Sequence, residues 1–600
     1  MHNLRLLSLL AAVSACAPAT RIEVPSPTGP MPGRPPAPVN PSLPAIPLVT
    51  GPVAINVVYP TANSLVASRD SNFIFGSIGN GNAALFINGQ PAPVWPNGAF
   101  LAFLPVPPRE TSAYDLVAVL GRDTTRLTHP VRLPPPPDSA APVVTPPLPA
   151  PADTAARYGI LVGPTTVSND TDRVVTGQPS PDPNVVRYFL FPGTVVRAAG
   201  VVGSETVVQI DSSIRVRVAN TQIQLQPPGF APPPLSIGRD TTISYGESVD
   251  LVVPATGPPA YYVTVDGSRL SVKLFGVTPF APRTEGSRVT ADPLLKSISV
   301  AHGSTYTEYI LDLARPVFGY QPLFENGNFI LKIRRPPPID PAAPLRGLLI
   351  AIDPGHPGIE GQAPGAAGPT SLLERAAVIP VALRARDLLI ARGANVLMTK
   401  TEAEQAVDLN MRPTMARRAD VHALVSIHYN AFPDGVNPFE HNGTSTYSFH
   451  AHSGRLAQLV HAEMLKNLHL RDLGARRANF AVVRPPWFPA VLTEGAFMML
   501  PDQENAMKTA EFQDAYARSI VDGLEQYFRE LAASQPSATV IPSNRSEPVA
   551  YAPGPSAASE TVGQPKAKVC NPLKQMVLRR RGASLDTDPG ADCGEVAFRR

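Results

Sequence analysis

The pattern of hydrophobic residues changes at about residue 345, directly after a proline-rich stretch at 336–344. Before this point, short apolar runs alternate with turn residues, which is typical of β-sheet. After it, apolar runs alternate with longer amphipathic segments, which predicts an α/β fold. The sequence therefore predicts a multidomain protein. Its N-terminal modules are β-rich, and residues 345–531 form an α/β domain with a mainly parallel sheet flanked by helices.

Proline-rich segments indicate where the domains are separated. The 600 residues include 72 prolines, about twice the usual share. Residues 17–50 are predicted to be a tether and residues 136–154 a linker. Residues 51–135 have the short strands and turn signals of an immunoglobulin-like sandwich. Residues 155–336 are predicted to be β-rich, with a stretch at 295–333 that resembles the AMIN-type, β-barrel-like module.

The N-terminus has the features of a targeting segment. A basic residue precedes an apolar run at 6–13 that is too short to span a bilayer. The run leads into Val13-Ser-Ala-Cys16, which resembles the lipobox of bacterial lipoproteins, in which the Cys is lipidated. With Ala17 next, the resemblance implies an outer-membrane lipoprotein that faces the periplasm and is held by its lipid anchor, with residues 1–16 as signal peptide. A plain secretory signal is the alternative.

Two further cysteines lie near the C-terminus. Cys570 and Cys593 belong to the stretch 532–600, which is rich in Ser, Pro and Ala and is predicted to be a mostly disordered, low-complexity tail. If Cys16 carries lipid, these two cysteines are left as a pair in an oxidising compartment, where a disulfide can join them. If the tail is disordered, the pairing has little structural meaning.

Net charge narrows the classes of partner. The formal net charge is only +3, and no basic stripe is interleaved with aromatic residues, so nucleic acid is not an expected partner. A mildly basic surface does tolerate an acidic polymer. No Cys-x-x-Cys spacing occurs, so the sequence does not predict a thiolate metal site. The oligomeric state is not indicated.

Four polar residues of the region 345–531 lie at positions where a parallel sheet gathers functional groups. His356, His428 and Glu494 lie at or just beyond the ends of apolar runs that are predicted to be buried strands. Glu374 lies in the first turn of the helix that is predicted to follow the first of these strands. Because parallel strands present their carboxyl ends at one edge of a sheet, the four side chains are predicted to lie together.

Two imidazoles and a carboxylate make a catalytic zinc site with an open position for water, and a second carboxylate can act as base. Simpler roles are available for each residue alone. Glu374 could complete a capping box with Ser371. Glu494 could form a salt bridge with Arg412 or Arg484. The joint placement of all four residues favours a hydrolase.

The motifs of this region, taken in order, resemble those of the zinc N-acetylmuramoyl-L-alanine amidases of the Amidase_3 type. They are Asp353-Pro-Gly-His356, Gly365-Ala-Ala-Gly-Pro369 before Leu373-Glu374, Leu409 with Arg412, Val425-Ser-Ile-His428-Tyr-Asn-Ala431 and Ala490-Val-Leu-Thr-Glu494. The resemblance covers residues 347–530. It implies one Zn²⁺ per catalytic domain, with three ligands: His356, Glu374 and His428. It also implies that Glu494 is the catalytic carboxylate.

The implied reaction is hydrolysis of the amide between N-acetylmuramic acid and L-alanine of peptidoglycan, in cell-wall remodelling or daughter-cell separation. Two alternatives stay open. One is a non-catalytic cell-wall-binding lipoprotein, and the other is a zinc peptidase that cleaves another amide of the stem peptide. Asn430 and Arg484 are predicted to bind substrate, and His450 and His452 form an i, i+2 pair that can line a groove.

The chain departs from the family pattern in the strand after His428. The family usually has Gly-x-Glu-Thr there, whereas this chain has Gly443-Thr-Ser-Thr446, which could alter the groove for the peptide. Some relatives occlude their zinc with a helix inserted before this strand. Pro433 and Pro438 in the corresponding segment make a stable blocking helix improbable, so this segment is predicted not to gate the site.

Overall fold

The computed structural model describes residues 37–135, 157–163, 174–179, 187–279, 292–358 and 365–534, together with three short strands of the tail. The signal peptide with Cys16, and the pair Cys570 and Cys593, lie outside the described residues. Within the described ranges, no helix combines the length and the apolar character that a membrane span requires.

Residues 51–135, the first β-region, form two antiparallel sheets around one hydrophobic core. The strands are β1 (Asn56–Tyr59), β2 (Ser71–Ser77), β3 (Ala84–Ile87), β4 (Gln90–Ala92), β5 (Ala99–Pro105), β6 (Ala113–Leu120) and β7 (Asp123–Pro130). Their orders are β1-β2-β5 and β4-β3-β6-β7. Asn88 and Gly89 form the turn that joins β3 to β4, with φ of 51° and 76°, the conformation that favours Asn-Gly in a two-residue hairpin.

Residues 155–336, the second β-region, contain only strands and one short 3₁₀ turn among the described residues. The strands are β8 (Arg157–Leu161), β9 (Val175–Pro179), β10 (Tyr188–Leu190), β11 (Val195–Val202), β12 (Glu205–Gln209), β13 (Arg215–Ala219), β14 (Ile223–Leu225), β15 (Ser236–Ile237), β16 (Thr241–Ser244), β17 (Ser248–Pro254), β18 (Ala260–Asp266), β19 (Arg269–Phe275), β20 (Thr278–Pro279), β21 (Leu295–His302), β22 (Tyr306–Leu313), β23 (Gly319–Glu325) and β24 (Asn328–Arg334).

These strands form one seven-stranded sheet, two four-stranded sheets and the short pair β15-β20. The seven-stranded order is β10-β9-β13-β12-β11-β8-β14. The four-stranded sheets, β16-β17-β24-β23 and β18-β19-β22-β21, share one core, to which Leu251, Leu270, Leu311 and Leu331 belong. Alternate residues of β22 and β24 are buried, as expected for strands with one face on a core.

Residues 345–531, the C-terminal region, alternate strands and helices around one mixed sheet. The elements are β25 (Leu349–Pro354), α1 (Glu374–Ala391), β26 (Asn395–Met398), α2 (Met411–Arg418), β27 (Ala423–Asn430), α3 (Pro438–His441), β28 (Thr444–Ser448), α4 (Gly454–Leu468), β29 (Asp472–Arg477), β30 (Ala490–Phe497), α5 (Pro501–Met507) and α6 (Ala510–Ala533). The sheet order is β26-β25-β27-β30-β28-β29. Only β28 and β30 pair antiparallel, and the other neighbours pair parallel.

Helices cover both faces of this sheet. On one face α1, α4 and α6 bury a core that includes Val381, Val460 and Ile520. On the other face α2 and the segment before β30 bury a smaller core around Phe488. The Thr509 hydroxyl caps α6 by accepting a hydrogen bond from the amide of Phe512, which satisfies one otherwise unpaired donor. This packing fixes the strands whose carboxyl ends carry the candidate site.

Three short strands lie in the tail: β31 (Ala567–Val569), β32 (Ser584–Asp586) and β33 (Gly594–Ala597). They form one antiparallel sheet in the order β31-β33-β32. Apart from these strands, residues 535–600 lie outside the described residues. The prediction of a mostly disordered tail therefore stays a prediction.

The first β-region contacts the C-terminal region through the segment between β27 and β28. The carboxylate of Asp434 accepts hydrogen bonds from the Tyr59 hydroxyl, from the Ala67 amide at 2.6 Å and from Asn72 Nδ2 at 3.1 Å. Phe432 stacks on Phe497 at a centroid distance of 4.3 Å. Both phenylalanines belong to a shared apolar cluster with Phe73, Phe75, Trp95 and Leu101 of the first β-region.

The second β-region contacts the C-terminal region through Arg334, the last residue of β24. Its side chain is only 5 % exposed. The guanidinium donates to the carbonyl oxygens of Val421 at 2.8 Å, Asp420 at 3.2 Å and Trp487 at 3.2 Å. It also lies over the Trp487 ring at 5.1 Å and pairs with the Asp420 carboxylate at 2.9 Å. The charge is therefore well satisfied although it is buried.

Candidate metal centre

His356, Glu374 and His428, the donor cluster, lie together at the carboxyl ends of the parallel strands. One potential ligand atom from each residue lies within 4.8 Å of the others. His356 Nε2 is 2.9 Å from Glu374 Oε2, and His428 Nδ1 is 3.0 Å from Glu374 Oε1. The carboxylate thus bridges the two imidazoles. Among the described residues, this is the one group of His, Cys, Asp and Glu that could hold a metal ion.

The loop after β25 positions His356. This residue has a left-handed φ of 62°, which is unusual for a residue other than glycine. Its carbonyl oxygen accepts hydrogen bonds from Lys400 Nζ at 2.7 Å and from Arg412 Nη2 at 2.7 Å. Burial lowers the pKa of Lys400 to about 8, and the neighbouring Arg412 contributes to the shift. Two cationic side chains therefore hold the backbone that orients His356.

A buried ion pair supports this loop from below. Arg412 Nη1 donates to Asp353 Oδ1 at 2.7 Å, and the two side chains are 1 % and 0 % exposed. Asp353 also accepts from the Thr399 hydroxyl at 2.5 Å and the Ser426 hydroxyl at 2.6 Å. Sequence reasoning noted Arg412 only as a motif residue and as a salt-bridge partner for Glu494. The pair joins residues that are 59 positions apart, so no local pattern indicated this supporting role.

Glu374 is the first residue of α1, and its carboxylate faces the histidines. Leu373 is the N-cap, without a side-chain cap, so the capping box with Ser371 is not formed. Glu374 instead accepts from the amides of Ala366 at 2.9 Å and Tyr429 at 3.0 Å. Burial alone would raise its pKa, but hydrogen bonds from the two histidines outweigh burial and lower the pKa to about 2.

Two glycines allow the backbone to approach these side chains closely. A Cβ on Gly355 would lie 2.4 Å from the His428 ring, and one on Gly365 would lie 2.7 Å from Glu374 Oε2. Gly365 also has a positive φ of 85°. Any side chain at either position would displace part of the donor cluster.

The sequence predicts His428 and Glu494 at or just beyond the ends of buried strands, whereas the structure places both inside paired strands, near their carboxyl ends. β27 continues to Asn430 and β30 to Phe497, and His428 is the register partner of Glu494. The apolar runs end earlier than the strands because backbone pairing does not require apolar side chains. Register partners on neighbouring strands project to the same face, which places Glu494 beside the donor cluster.

Glu494 has an oxygen without a hydrogen-bond partner. Its Oε2 atom is buried, and within the described ranges it makes no hydrogen bond or ion pair. The salt bridges to Arg412 or Arg484 are not observed, since Arg412 pairs with Asp353. Burial raises the pKa of Glu494 well above its usual range, and the charge of Glu374 adds to the shift. A cation on the donor cluster would offset both effects, so the residues present fit a bound metal ion.

Asn430 and Arg484, the two residues predicted to bind substrate, lie in different places. Asn430 ends β27, two residues beyond His428, and its Oδ1 accepts from the Ala431 amide. The pairing of β27 with β30 shifts register between His428 and Asn430. Arg484 precedes β30 and lines a separate cavity together with His450, whose imidazole binds the Arg484 carbonyl. The structure does not bring Arg484 to the donor cluster.

Comparison with known proteins is consistent with this geometry. The family profile described as N-acetylmuramoyl-L-alanine amidase matches residues 350–526. The sporulation-specific N-acetylmuramoyl-L-alanine amidase of Bacillus subtilis is 33% identical over 186 residues, which are 30% of this chain and 68% of that protein. The probable cell wall amidase LytH of Staphylococcus epidermidis is 32% identical over 185 residues, 31% of this chain and 60% of that protein.

Among solved structures, the amidase AmiC2 of Nostoc punctiforme is 31% identical, with a TM-score of 0.28, and covers 30% of this chain and 97% of its own. The family profile falls on the C-terminal region that carries the donor cluster and Glu494. The chain belongs to the family of N-acetylmuramoyl-L-alanine amidases.

Proposed function

We propose that this protein is a zinc-dependent amidase that hydrolyses the bond between N-acetylmuramic acid and L-alanine in peptidoglycan. The observation that carries the proposal is the convergence of His356, Glu374 and His428 within 4.8 Å, next to a carboxylate with an unpartnered oxygen. Two nitrogens and one oxygen are a ligand set that zinc accepts in catalytic sites, where a fourth position stays open.

The residues of the site have distinct roles in this proposal. His356, Glu374 and His428 would hold the ion. Bound zinc supplies Lewis-acid chemistry, which polarises a carbonyl and makes water more acidic. Glu494 takes a proton from the attacking water and delivers it to the leaving amine, which is the work of a general base and then a general acid. Its Oε2 atom has no hydrogen-bond partner among the described residues, so it is available to accept that proton.

Access to the donor cluster also supports a role with a polymeric substrate. The His356 and His428 side chains keep 23% and 16% of their accessible surface. The segment between β27 and β28 contains only the four-residue helix α3, and its Asp434 contacts the first β-region. We therefore keep the proposal that this segment does not gate the site.

The relatives include a protein named as a cell wall amidase, which supports a location in the cell envelope. The finer assignments are further proposals from sequence: lipidation at Cys16, an outer-membrane anchor facing the periplasm, and a disulfide between Cys570 and Cys593. We likewise propose that the first β-region is immunoglobulin-like, which its two facing antiparallel sheets support. The AMIN-like nature of part of the second β-region rests on sequence resemblance.

Mass spectrometry of digested peptidoglycan tests the function. Purified full-length protein is incubated with sacculi in zinc, and in parallel after chelation. Free stem peptides that begin with L-alanine, absent after chelation, are expected. Cleavage at another amide would favour a peptidase, and a folded, zinc-loaded protein that releases nothing would favour a binding role.

Metal analysis tests the ligands separately. His356→Ala and His428→Ala are expected to lose bound zinc, whereas His441→Ala, which changes an exposed histidine of the same region, is expected to keep it. Retention of one zinc per chain in both ligand variants would contradict the assignment.

A further inference from the structure

A cavity of about 200 Å³ lies between the second β-region and the C-terminal region. Residues of β9, β10, β18 and β23 form one wall, and α2 with the segment before β30 forms the other. None of His356, Glu374, His428 and Glu494 lines it. Pockets for drug-sized ligands have about 300–1,000 Å³, so this cavity suits a smaller group, such as one part of a short peptide.

The charged side chains of this cavity are all basic. Arg187, Arg417, Arg477 and Arg484 line it, and no Asp or Glu of the described residues does. A cleft lined by one sign of charge concentrates ions of the opposite sign. Arginine forks also match the geometry of carboxylates. The cavity therefore selects an anion.

Arg187 has an incomplete set of hydrogen bonds. Its Nε atom is buried and has no partner among the residues that the structure describes. Burial lowers the pKa of this guanidinium, and the charge of Glu205 opposes the shift. A carboxylate in the cavity would supply both a hydrogen-bond acceptor and a compensating charge, which is the usual remedy for a buried cation.

Several aromatic side chains also line the cavity, and contacts across the two walls hold them in place. Phe189 and Phe449 meet edge to face at 6.1 Å, one from each wall. The Tyr320 hydroxyl lies 3.2 Å from His450 Nδ1, which again joins the two walls. Arg477 is held by hydrogen bonds to the Phe449 carbonyl at 2.9 and 3.1 Å. Rigid aromatic faces pack well against the aliphatic parts of a ligand.

We propose that this cavity binds a carboxylate-bearing segment of the peptidoglycan stem peptide at a place separate from the donor cluster. This proposal rests on the proposed function, because it takes its ligand from the polymer that the site hydrolyses. Stem peptides carry free carboxylates on short aliphatic chains, which fits four arginines beside aromatic rings. Inorganic phosphate shares the charge but has nothing to pack on those rings.

Calorimetric titration of the full-length protein tests this. The probe is the free tripeptide L-alanyl-γ-D-glutamyl-diaminopimelate, which lacks the muramoyl amide. Arg187→Met removes the charge at similar length, and Gln321→Glu adds a negative charge to the lining on β23. Each variant is expected to raise the Kd about tenfold or more, since hydrogen bonds to charged groups contribute that much. Arg269→Met, an exposed arginine paired with Asp312 on the same β-region, is the matched control and is expected to leave the Kd unchanged.

A variant of the donor cluster separates this inference from the proposed function. His356→Ala is expected to bind the tripeptide with unchanged Kd although it does not hydrolyse sacculi. Binding that disappears in His356→Ala and persists in Arg187→Met and Gln321→Glu would place the peptide at the donor cluster and overturn the proposal. So would saturable binding of phosphate without binding of the tripeptide, or no saturable binding of the tripeptide. If the wild type does not hydrolyse sacculi, but binds the tripeptide and Arg187→Met weakens that binding, only the proposed function would be contradicted.

Discussion

The two halves of the site are supported in different ways. The Glu374 half, built from β25, α1 and β27, is held within the C-terminal region by Arg412, Asp353 and Lys400. The Glu494 half, built from β28 and β30, adjoins the segment that Asp434 fixes to the first β-region. In the first half the carboxylate accepts four hydrogen bonds, and in the second one carboxylate oxygen has no partner among the described residues.

This difference distinguishes a carboxylate that binds a metal ion from one that transfers a proton. A carboxylate surrounded by donors stays ionised and fixed, which suits a metal ligand. A carboxylate with a buried oxygen that lacks a hydrogen-bond partner can accept a proton at that oxygen, which suits acid–base catalysis. One site thus uses the same side-chain type for two purposes, and the environment decides which.

The distinction between the two halves is wrong if Glu494 can be replaced without loss of hydrolytic activity. Glu494→Gln is expected to lower kcat by about 10²–10⁴, the usual contribution of a general acid–base residue, while zinc content and circular dichroism stay unchanged. Release of stem peptides from sacculi measures the rate. Glu440→Gln, which changes an exposed carboxylate between the two halves, should be near wild type. A Glu494→Gln enzyme within threefold of wild type would remove the proposed role.

The internal support of the Glu374 half is tested by Arg412→Met. Removal of this guanidinium leaves the Asp353 charge buried without its counter-ion, which is expected to destabilise the C-terminal region by about 3–5 kcal/mol. Hydrogen exchange of the β25 and β27 amides measures the change. For comparison, Arg455→Met breaks an exposed pair with Glu530 and should cost less than about 1 kcal/mol. Equal protection in both variants would show that the ion pair does not brace this half.

The external support of the Glu494 half is tested by Asp434→Ala. The Tyr59 hydroxyl, the Ala67 amide and Asn72 lose their common acceptor, which is expected to weaken the contact by about 1–3 kcal/mol. Faster hydrogen exchange in β28 than in β25 is the expected signature. Asp115→Ala, at an exposed aspartate of the first β-region, is the control. If β25 and β28 respond equally, the two halves do not have separate supports.

The smallest expected effect concerns the stability of chelated protein as pH changes. The folded pKa of Glu494 is raised, so its contribution to stability is present at low pH and is lost as pH rises through that pKa. Glu374 has the opposite sign: its contribution is present above its ordinary pKa and is lost as pH falls towards about 2. Chelated Glu494→Gln should therefore be more stable than wild type at neutral pH.

We expect a difference on the order of 1 kcal/mol, which is about 2–4 °C in Tm for a domain of this size. Thermal unfolding at pH 5 and pH 8 with a chelator present provides the measurement. A Glu494→Gln variant that is less stable than wild type at pH 8 would show that the carboxylate is ionised and satisfied in the metal-free protein.

The sequence allowed prediction of those features that depend on local pattern. The apolar runs that end at or just before His356, His428 and Glu494 correspond to β25, β27 and β30. The four site residues could be predicted because parallel strands present their carboxyl ends at one edge of the sheet. The contact of Asp434 with Tyr59 joins residues 375 positions apart, and no local pattern encodes such a contact. The extension of β27 through His428 was missed for a different reason, since the apolar run ended before the backbone pairing did.

The contacts of Arg334 affect where the evolutionary unit that contains the C-terminal region begins. It precedes the matched span 350–526, yet it supplies donors to three backbone carbonyls on the far side of the boundary. The Tyr320 amide likewise binds the Pro486 carbonyl, and a Cβ on Gly319 would lie 2.1 Å from the Trp487 oxygen. A recombination event that exchanged the β-modules at residue 345 would leave those carbonyls without their donors. The last two strands of the second β-region, β23 and β24, should therefore be inherited together with the C-terminal region when domains recombine.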